Sequence, residues 1–325
     1  MKQHFLTATL ASLFPFTSLA STVSLPLPEM YGSIQAQASW HENADYTTDI
    51  AQAQFGVVGM VKADTTSVRY RLEAEYSESI AETEDDNDGM ISEANLAVMN
   101  PLFGGAFIGT GTTGAWNDLY SKVDIFNSNN MERHSSNLLF GAKHYANNQL
   151  GLMTPFYGPF QFKAAVVSGD EYNGSDIDTL GFRAIYKQDI FSVVLNHSFT
   201  SKEMLNSAKE DGQRTIVATS YNLGNLYLAA LAEFDYDMPF DARNVYGVSA
   251  KYSQHNTTYS LGYQYADWKG SRENEALYLA NVRHDFNPNI AVFVEGALFD
   301  EDGKNHPKNT IVKGNNVNLG LIVSF

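Results

Sequence analysis

The sequence predicts an all-β chain, a 16-stranded antiparallel transmembrane β-barrel, and three observations carry that expectation. Apolar and polar residues alternate with period two through one segment after another. Short turn signals alternate with longer polar stretches along the chain. After the first twenty residues no apolar run approaches the roughly eighteen residues that a spanning helix needs.

The first element is a leader. Lys2 gives a positive start, Phe5 to Phe16 is a short apolar run, and Ser18-Leu19-Ala20 has the small-x-small form of a cleavage site. This predicts a signal peptide over residues 1–20 and a single barrel domain over 21–325. An exported chain of 325 residues with no cysteine cannot rest on disulfides, which suits a fold held by a closed hydrogen-bond ladder. The excess of 37 acidic over 21 basic residues, a net −16, argues against nucleic acid as a partner, because a phosphate backbone is met by a basic face. A mean hydropathy of −0.26 does not separate soluble from membrane chains, since a barrel strand averages one apolar and one polar face.

Periodicity separates them. Val317, Leu319, Leu321, Val323 and Phe325 share one face of the last strand, opposite Asn316, Asn318, Gly320 and Ser324, with Ile322 the exception. Val68, Tyr70, Leu72, Ala74 and Tyr76 oppose Ser67, Arg69, Arg71, Glu73 and Glu75. The same rhythm runs through Tyr246 to Tyr252 and Tyr259 to Tyr265, with Tyr and Phe at strand ends placed to form interfacial girdles. Turns are expected at Ala63 to Thr66, Asn100 to Gly104, Thr154 to Pro159, Gln188-Asp189, Gly224-Asn225, Gln254 to Thr257 and Asn287 to Asn289. Outer loops are expected at His41 to Asp49, Ala81 to Gly89, Gly111 to Ala146, Gly169 to Ile177, Thr200 to Gly212, Asp235 to Asp241, Ala266 to Asn274 and Phe299 to Gly314. Seven turns and eight loops separate sixteen strands, and an even count puts both chain ends on the periplasmic side. A soluble sandwich or solenoid would leave the all-round apolar face in water.

Several short segments, in order, resemble the general diffusion porins of Gram-negative bacteria. Met30-Tyr31-Gly32 is similar to that family's opening strand, and Ala53-Gln54-Phe55-Gly56-Val57-Val58-Gly59 to its S-R-F-G-F-K-G stretch. Ser92 to Val98, then Phe103-Gly104 and Ile108-Gly109, resemble the run into its third loop. Asn148-Gln149-Leu150, Thr154-Pro155 and Gly158 follow, then His284 to Phe293. The final Phe325 resembles the family's assembly signal. The resemblance implies a third loop folded inward to narrow the pore, a homotrimer in outer-membrane lipid and lipopolysaccharide, assembly by the barrel-assembly machinery, and passage of small hydrophilic solutes without a cofactor.

Gly111 to Ala146 is the longest stretch without period two, and long irregular loops in compact folds are usually functional. Trp116, Asp118, Asp124 and Glu132 are therefore the constriction-loop candidates, the acids being expected to set a field across the lumen. In the family such acids face a ladder of arginines, but the matching positions here hold Gln54, Val58, Ser92, Thr110 and Gly151. The remaining lumen-wall candidates are Lys62, Arg69, Arg71 and Glu73, with Glu75 beside them. A weak ladder and an acidic lumen predict cation preference.

Other constellations carry less. Glu84 to Ile91 resembles part of a calcium loop, but Glu84 stands at the first ligand position and Asn95 where the bidentate Glu belongs, so an acidic outer loop is the better reading. His134 with Ser135 and Ser136 lacks a G-x-S-x-G turn to fix a nucleophile, and no histidine pair has H-x-x-x-H spacing, so neither an enzyme nor a metal site is expected. The alternatives to a passive pore are a solute-specific porin using Trp40, Trp116 or Trp268 as sugar platforms, and a non-conducting structural or adhesive barrel.

Overall fold

Residues that alternate apolar and polar satisfy their backbone only by pairing with a neighbour, and in this chain the pairing closes on itself. The computed structural model describes residues 23–24, 26–42, 44–77, 90–128, 130, 144–168, 177–205, 210–237, 243–270, 274–300 and 315–325. A two-residue strand, β1 (Val23–Ser24), pairs with the end of the third strand and precedes Pro26 and Pro28, which cannot donate to a ladder. The barrel then runs β2 (Glu29–His41), β3 (Ala44–Ala63), β4 (Thr66–Ser77), β5 (Met90–Asn100), β6 (Gly104–Thr112), β7 (Tyr145–Met153), β8 (Phe160–Val167) and β9 (Thr179–Lys187). It continues through β10 (Phe191–Thr200), β11 (Gly212–Leu223), β12 (Leu226–Tyr236), β13 (Arg243–Gln254), β14 (Thr257–Trp268), β15 (Glu275–Asn287), β16 (Ile290–Phe299) and β17 (Asn316–Ser324). Each of these sixteen strands pairs antiparallel with the next, and β17 pairs with β2.

The seam is continuous to the last residue. Gly32 and Phe325 exchange two backbone hydrogen bonds of 3.0 Å each. The Phe325 ring lies where a side chain at Gly32 would be, so a larger residue at 32 displaces the terminal aromatic.

All seven expected turns fall between successive strands. The first expected loop does not exist as such: His41 to Asp49 is mostly strand, and the β2–β3 hairpin is paired up to His41 and Ala44. Tyr46, Thr47, Thr48 and Ile50 are strand-forming residues, and Trp40 stacks on Tyr46 at 6.2 Å, so polarity alone misread an extended hairpin as a loop. The leader, the acidic stretch 81–89, the catalytic-like trio at 134–136 and Glu132 lie outside the described residues.

One face of each strand carries exposed apolar side chains, such as Leu72, Leu96, Ile108, Val248, Leu261 and Leu319. Tyr236, Tyr246 and Tyr278 ring the loop-side end of this belt, and Phe160, Tyr252, Tyr259 and Phe286 the short-turn end. The other face is buried and largely polar, which defines the inside.

This assignment predicts opposite outcomes for one charge on two faces. Leu72→Arg places a guanidinium on the lipid face midway along β4 and should destabilise the barrel by about 2–4 kcal/mol. Gln54→Arg, on the inner face opposite Glu75, should cost far less. Urea titration of barrels folded into liposomes measures both; equal losses would contradict the face assignment.

Candidate functional site

The connection between β6 and β7 enters the barrel and docks on its inner wall. Thr113 to Asn130 includes one π-helical turn (Trp116–Tyr120) and one α-helical turn (Ser121–Val123). Their helical spacing puts Trp116, Leu119, Tyr120 and Val123 on one stripe, all buried against Ile185, Val194, Ile216, Leu231 and Val245 of the wall. Asn117 and Ser121 are exposed on the other side, which faces the open lumen. Each large side chain buried in the stripe returns about 1.5–3 kcal/mol. Ordering the loop costs roughly 1–2 kcal/mol for every residue fixed. Four side chains do not offset that cost alone, so polar ties are needed as well.

Those ties run around the wall in order. The Asp118 carboxylate receives Lys163 of β8 at 2.9 Å and Arg183 of β9 at 2.6 Å. Tyr120 donates its hydroxyl to Glu233 of β12. Lys122 donates to Ser192 of β10 at 2.7 Å, and its carbonyl accepts from Tyr227 at 2.9 Å. Ser249 of β13 donates to the Val123 carbonyl at 2.6 Å, and Phe126 covers Gly262 of β14. At the far end the Glu295 carboxylate of β16 accepts from the Asn127 and Ser128 amides, the Ser128 hydroxyl, Asn130 and Asn281, all neutral donors. The loop thereby lines the wall from β8 to β16, meets β17 and β2 where Asn316 donates to Asn130 and Gln35 to the Asn127 carbonyl, each at 2.8 Å, and leaves the opposite wall, from the Tyr31 end of β2 to β6, to bound the open lumen.

That opposite wall is a hydrogen-bonded network. Tyr31 lies across Gly56, donates to Glu73 at 2.6 Å and accepts from Arg71 at 2.6 Å. Arg71 also pairs with Glu73 at 2.8 Å and sits 3.7 Å from Glu93, so among the described residues one guanidinium serves both carboxylates. Ser92 donates to Glu73 at 2.7 Å, and Glu93 accepts from the Thr112 hydroxyl at 2.7 Å. Glu75 accepts from Gln52 at 2.7 Å and from Tyr145 at 2.5 Å.

Register places the expected residues. Gln54, Val58 and Lys62 of β3 pair with Glu75, Arg71 and Ser67 of β4, and all share the inner face with Arg69 and Glu73. Ser92 is turned inward by a bulge opposite Glu73 and Ala74. Gly151 is inward opposite Phe107. Thr110 is a correction: it pairs with Ala94 and lies two residues beyond exposed Ile108, so strict alternation puts it on the outer face. Asp118 is bound between two cations rather than presented to the lumen, and Asp124 is half-buried at the end of the helical turns.

The three tryptophans do not form a sugar platform. Trp116 is stacked with His144 at 4.4 Å and Tyr120 at 6.0 Å and is buried; Trp268 is buried beneath Arg243; Trp40 pairs with Val317 on the outer face. Sequence reasoning missed Lys163, Arg183, Glu233 and Glu295 as loop anchors. Their signal was present, because each is a charge at an inward position of its strand.

Burial opposes ionisation of Asp118, but the Arg183 guanidinium and the Lys163 ammonium outweigh it and hold its carboxyl below the ordinary aspartate range. A carboxyl so lowered keeps its charge, and the tie, above the ordinary value of about 3.9 and loses it only as pH falls through its own lower value. Single-channel current should therefore stay quiet down to about pH 4. Asp118→Asn, which removes the charge facing buried Arg183, should be noisy at every pH. Noise spectra that do not differ between the two would mean the tie does not hold the loop.

A family model described as Gram-negative porin matches residues 7–304. A porin-like protein of Buchnera aphidicola subsp. Schizaphis graminum is 24% identical over 238 residues, which cover 64% of this chain and 64% of that protein. Among solved structures, a Salmonella typhi OmpF complex with daunomycin superposes with a TM-score of 0.75 at 16% identity, covering 93% of this chain and 100% of that one. An anion-selective porin from Comamonas acidovorans gives 0.70 at 13% identity, with 94% and 100% coverage. In-vitro folded OmpT of Vibrio cholerae, in its trimer form, gives 0.70 at 14% identity, with 92% and 99% coverage.

Proposed function

The chain belongs to the family of Gram-negative porins, an outer-membrane β-barrel protein and a channel rather than an enzyme, and from that membership we propose that it passes ions and small hydrophilic solutes by passive diffusion with a modest cation preference. Solutes cross between the docked loop and the β2–β6 wall. No cycle of chemistry is involved; the wall excludes by size and sorts by charge.

The observation that supports cation preference is a carboxylate excess at the level where the loop docks. Arg71 is shared by Glu73 and Glu93, and among the described residues Glu295 is held by neutral donors. Two cations on Asp118 work in the opposite direction, which is why the preference is modest. Fixed charges act strongly here because low-dielectric walls focus their field.

The homotrimer belongs to the same proposal: the continuous outer apolar belt supplies a surface, and the trimer form of Vibrio cholerae OmpT is a precedent for this fold. Outer-membrane lipid and lipopolysaccharide would cover the remainder of that belt, and the exposed terminal aromatic, Phe325, is the feature the barrel-assembly machinery would read.

A reversal potential measured under a KCl gradient tests the selectivity, and its sign should report potassium permeating faster than chloride. Gln54→Arg and Val58→Arg together restore two basic positions on the wall facing the loop and should lower the cation-to-anion permeability ratio by about twofold or more. An anion-selective wild type, or a ratio that the double variant leaves untouched, would remove the proposal.

A further inference from the structure

Inward charges are ordered along the barrel axis as well as across it. On β4 the inner face reads Ser67, Arg69, Arg71, Glu73, Glu75 from the short-turn end towards the loop end. Bases occupy the lower half and acids the upper.

The same order recurs around the ring. Lys62 of β3 stands next to the turn, and Lys187 and Lys251 lie near the turn ends of β9 and β13. Lys163 and Arg183 face each other across β8 and β9, and Lys122 reaches down from the loop to Ser192 at the start of β10. Towards the loop end stand Glu93, opposite Glu73, then Glu233, Asp235 and Glu275.

The exceptions cancel rather than reverse the pattern. Arg214 and Arg243 lie in the acidic half and pair with both Glu233 and Asp235, at 2.5 to 3.6 Å, so these four cancel and the acids that set the sign of that half are Glu73, Glu75, Glu93 and Glu275. Asp285 lies in the basic half and is paired with Arg283 at 2.8 Å. Asp118 sits between two cations, which leaves Glu29 the remaining inward acid of the lower half. Asp64 and Asp189 belong to the turns, past the last inward pair of their hairpins.

A tube that is acidic at one end and basic at the other does not conduct symmetrically. With the loop side positive, cations enter through the acidic half while anions enter through the basic half, and both accumulate where the zones meet. With the opposite polarity both are drawn out and the junction is depleted. Fixed charge raises the local concentration of counter-ions in this way wherever low-dielectric walls confine the field.

We infer that the lumen is an axially bipolar channel that rectifies ion flow, passing more current when the loop side is positive, with Lys62 and Arg69 as its basic gate charges. This rests on the pore reading above. Lys62 and Arg69 suit the role because both are exposed on the inner wall.

The test is the current–voltage curve of single channels at equal and opposite voltages. Orientation is marked by Asn225→Cys in the β11–β12 turn, since the chain has no other cysteine, and by a bulky impermeant maleimide added to one side. In about 0.1 M KCl, where the screening length is roughly 10 Å, the ratio of the two currents should be about twofold, and in about 1 M, with roughly 3 Å screening, it should approach one. Lys62→Glu with Arg69→Glu reverses the sign of the two exposed charges at the turn end of this wall and should bring the ratio close to one in dilute salt. A conducting wild type with symmetric current, or a ratio indifferent to salt or to the double variant, overturns the bipolar channel and leaves the pore standing. Absence of any conductance overturns both. The salt series on the wild type decides the matter even if the double variant fails to fold.

Discussion

Closure of the backbone ladder is the constraint on which the rest of the molecule depends. Inside a bilayer no water is available to an unpaired amide or carbonyl, and an open sheet would present two such edges to hydrocarbon. Pairing β17 with β2 removes both, and the Gly32–Phe325 exchange extends the pairing to the final residue. A closed antiparallel sheet then has only two faces, and a strict alternation assigns every side chain to one or the other.

Closure also supplies the loop with a docking surface. A segment of this length cannot stay inside a wide tube on apolar contacts alone, so it borrows the wall's inward polar groups. Carboxylates serve it at both ends: Asp118 brings its own to Lys163 and Arg183, and Glu295 offers one to the loop's amides. Between them the stripe of Trp116, Leu119, Tyr120 and Val123 forms the nearest thing to a hydrophobic core that the barrel possesses. The aromatic row Tyr145, His144, Trp116, Tyr120 belongs to the same scaffold, with Tyr145 and Tyr120 ending on Glu75 and Glu233. Trp116, Tyr120 and His144 are buried within this row, so their ring faces are taken up by packing.

Pore charge follows from that division of labour. Acids and bases that hold the loop are largely neutralised by doing so, whereas the β2–β6 wall keeps Tyr31, Arg71, Glu73 and Glu93 in a network around a single guanidinium. One strand, β4, carries both signs on its inner face in axial order. A field across the lumen and a field along it thus arise from the same row of residues.

Much of this was legible in the amino-acid sequence, because side-chain alternation and turn chemistry are local. The period-two run ending at Phe325, the row Arg69, Arg71, Glu73, Glu75 and all seven turns needed only neighbouring residues to be recognised. Thr110 could have been placed by the same rule, since it shares the parity of Ile108. The tertiary structure alone decided the rest. Ser92 faces inward through a bulge whose existence depends on the partner strand, and His41 to Asp49 is strand because a twenty-residue β3 has β2 to pair with. Asp118 reads in the sequence as an acid facing the pore, but its charge is consumed by Lys163 and Arg183, more than forty residues away. Period two says which face a residue takes; which charges meet across the lumen is set by register and by the docked loop, and neither is a local property.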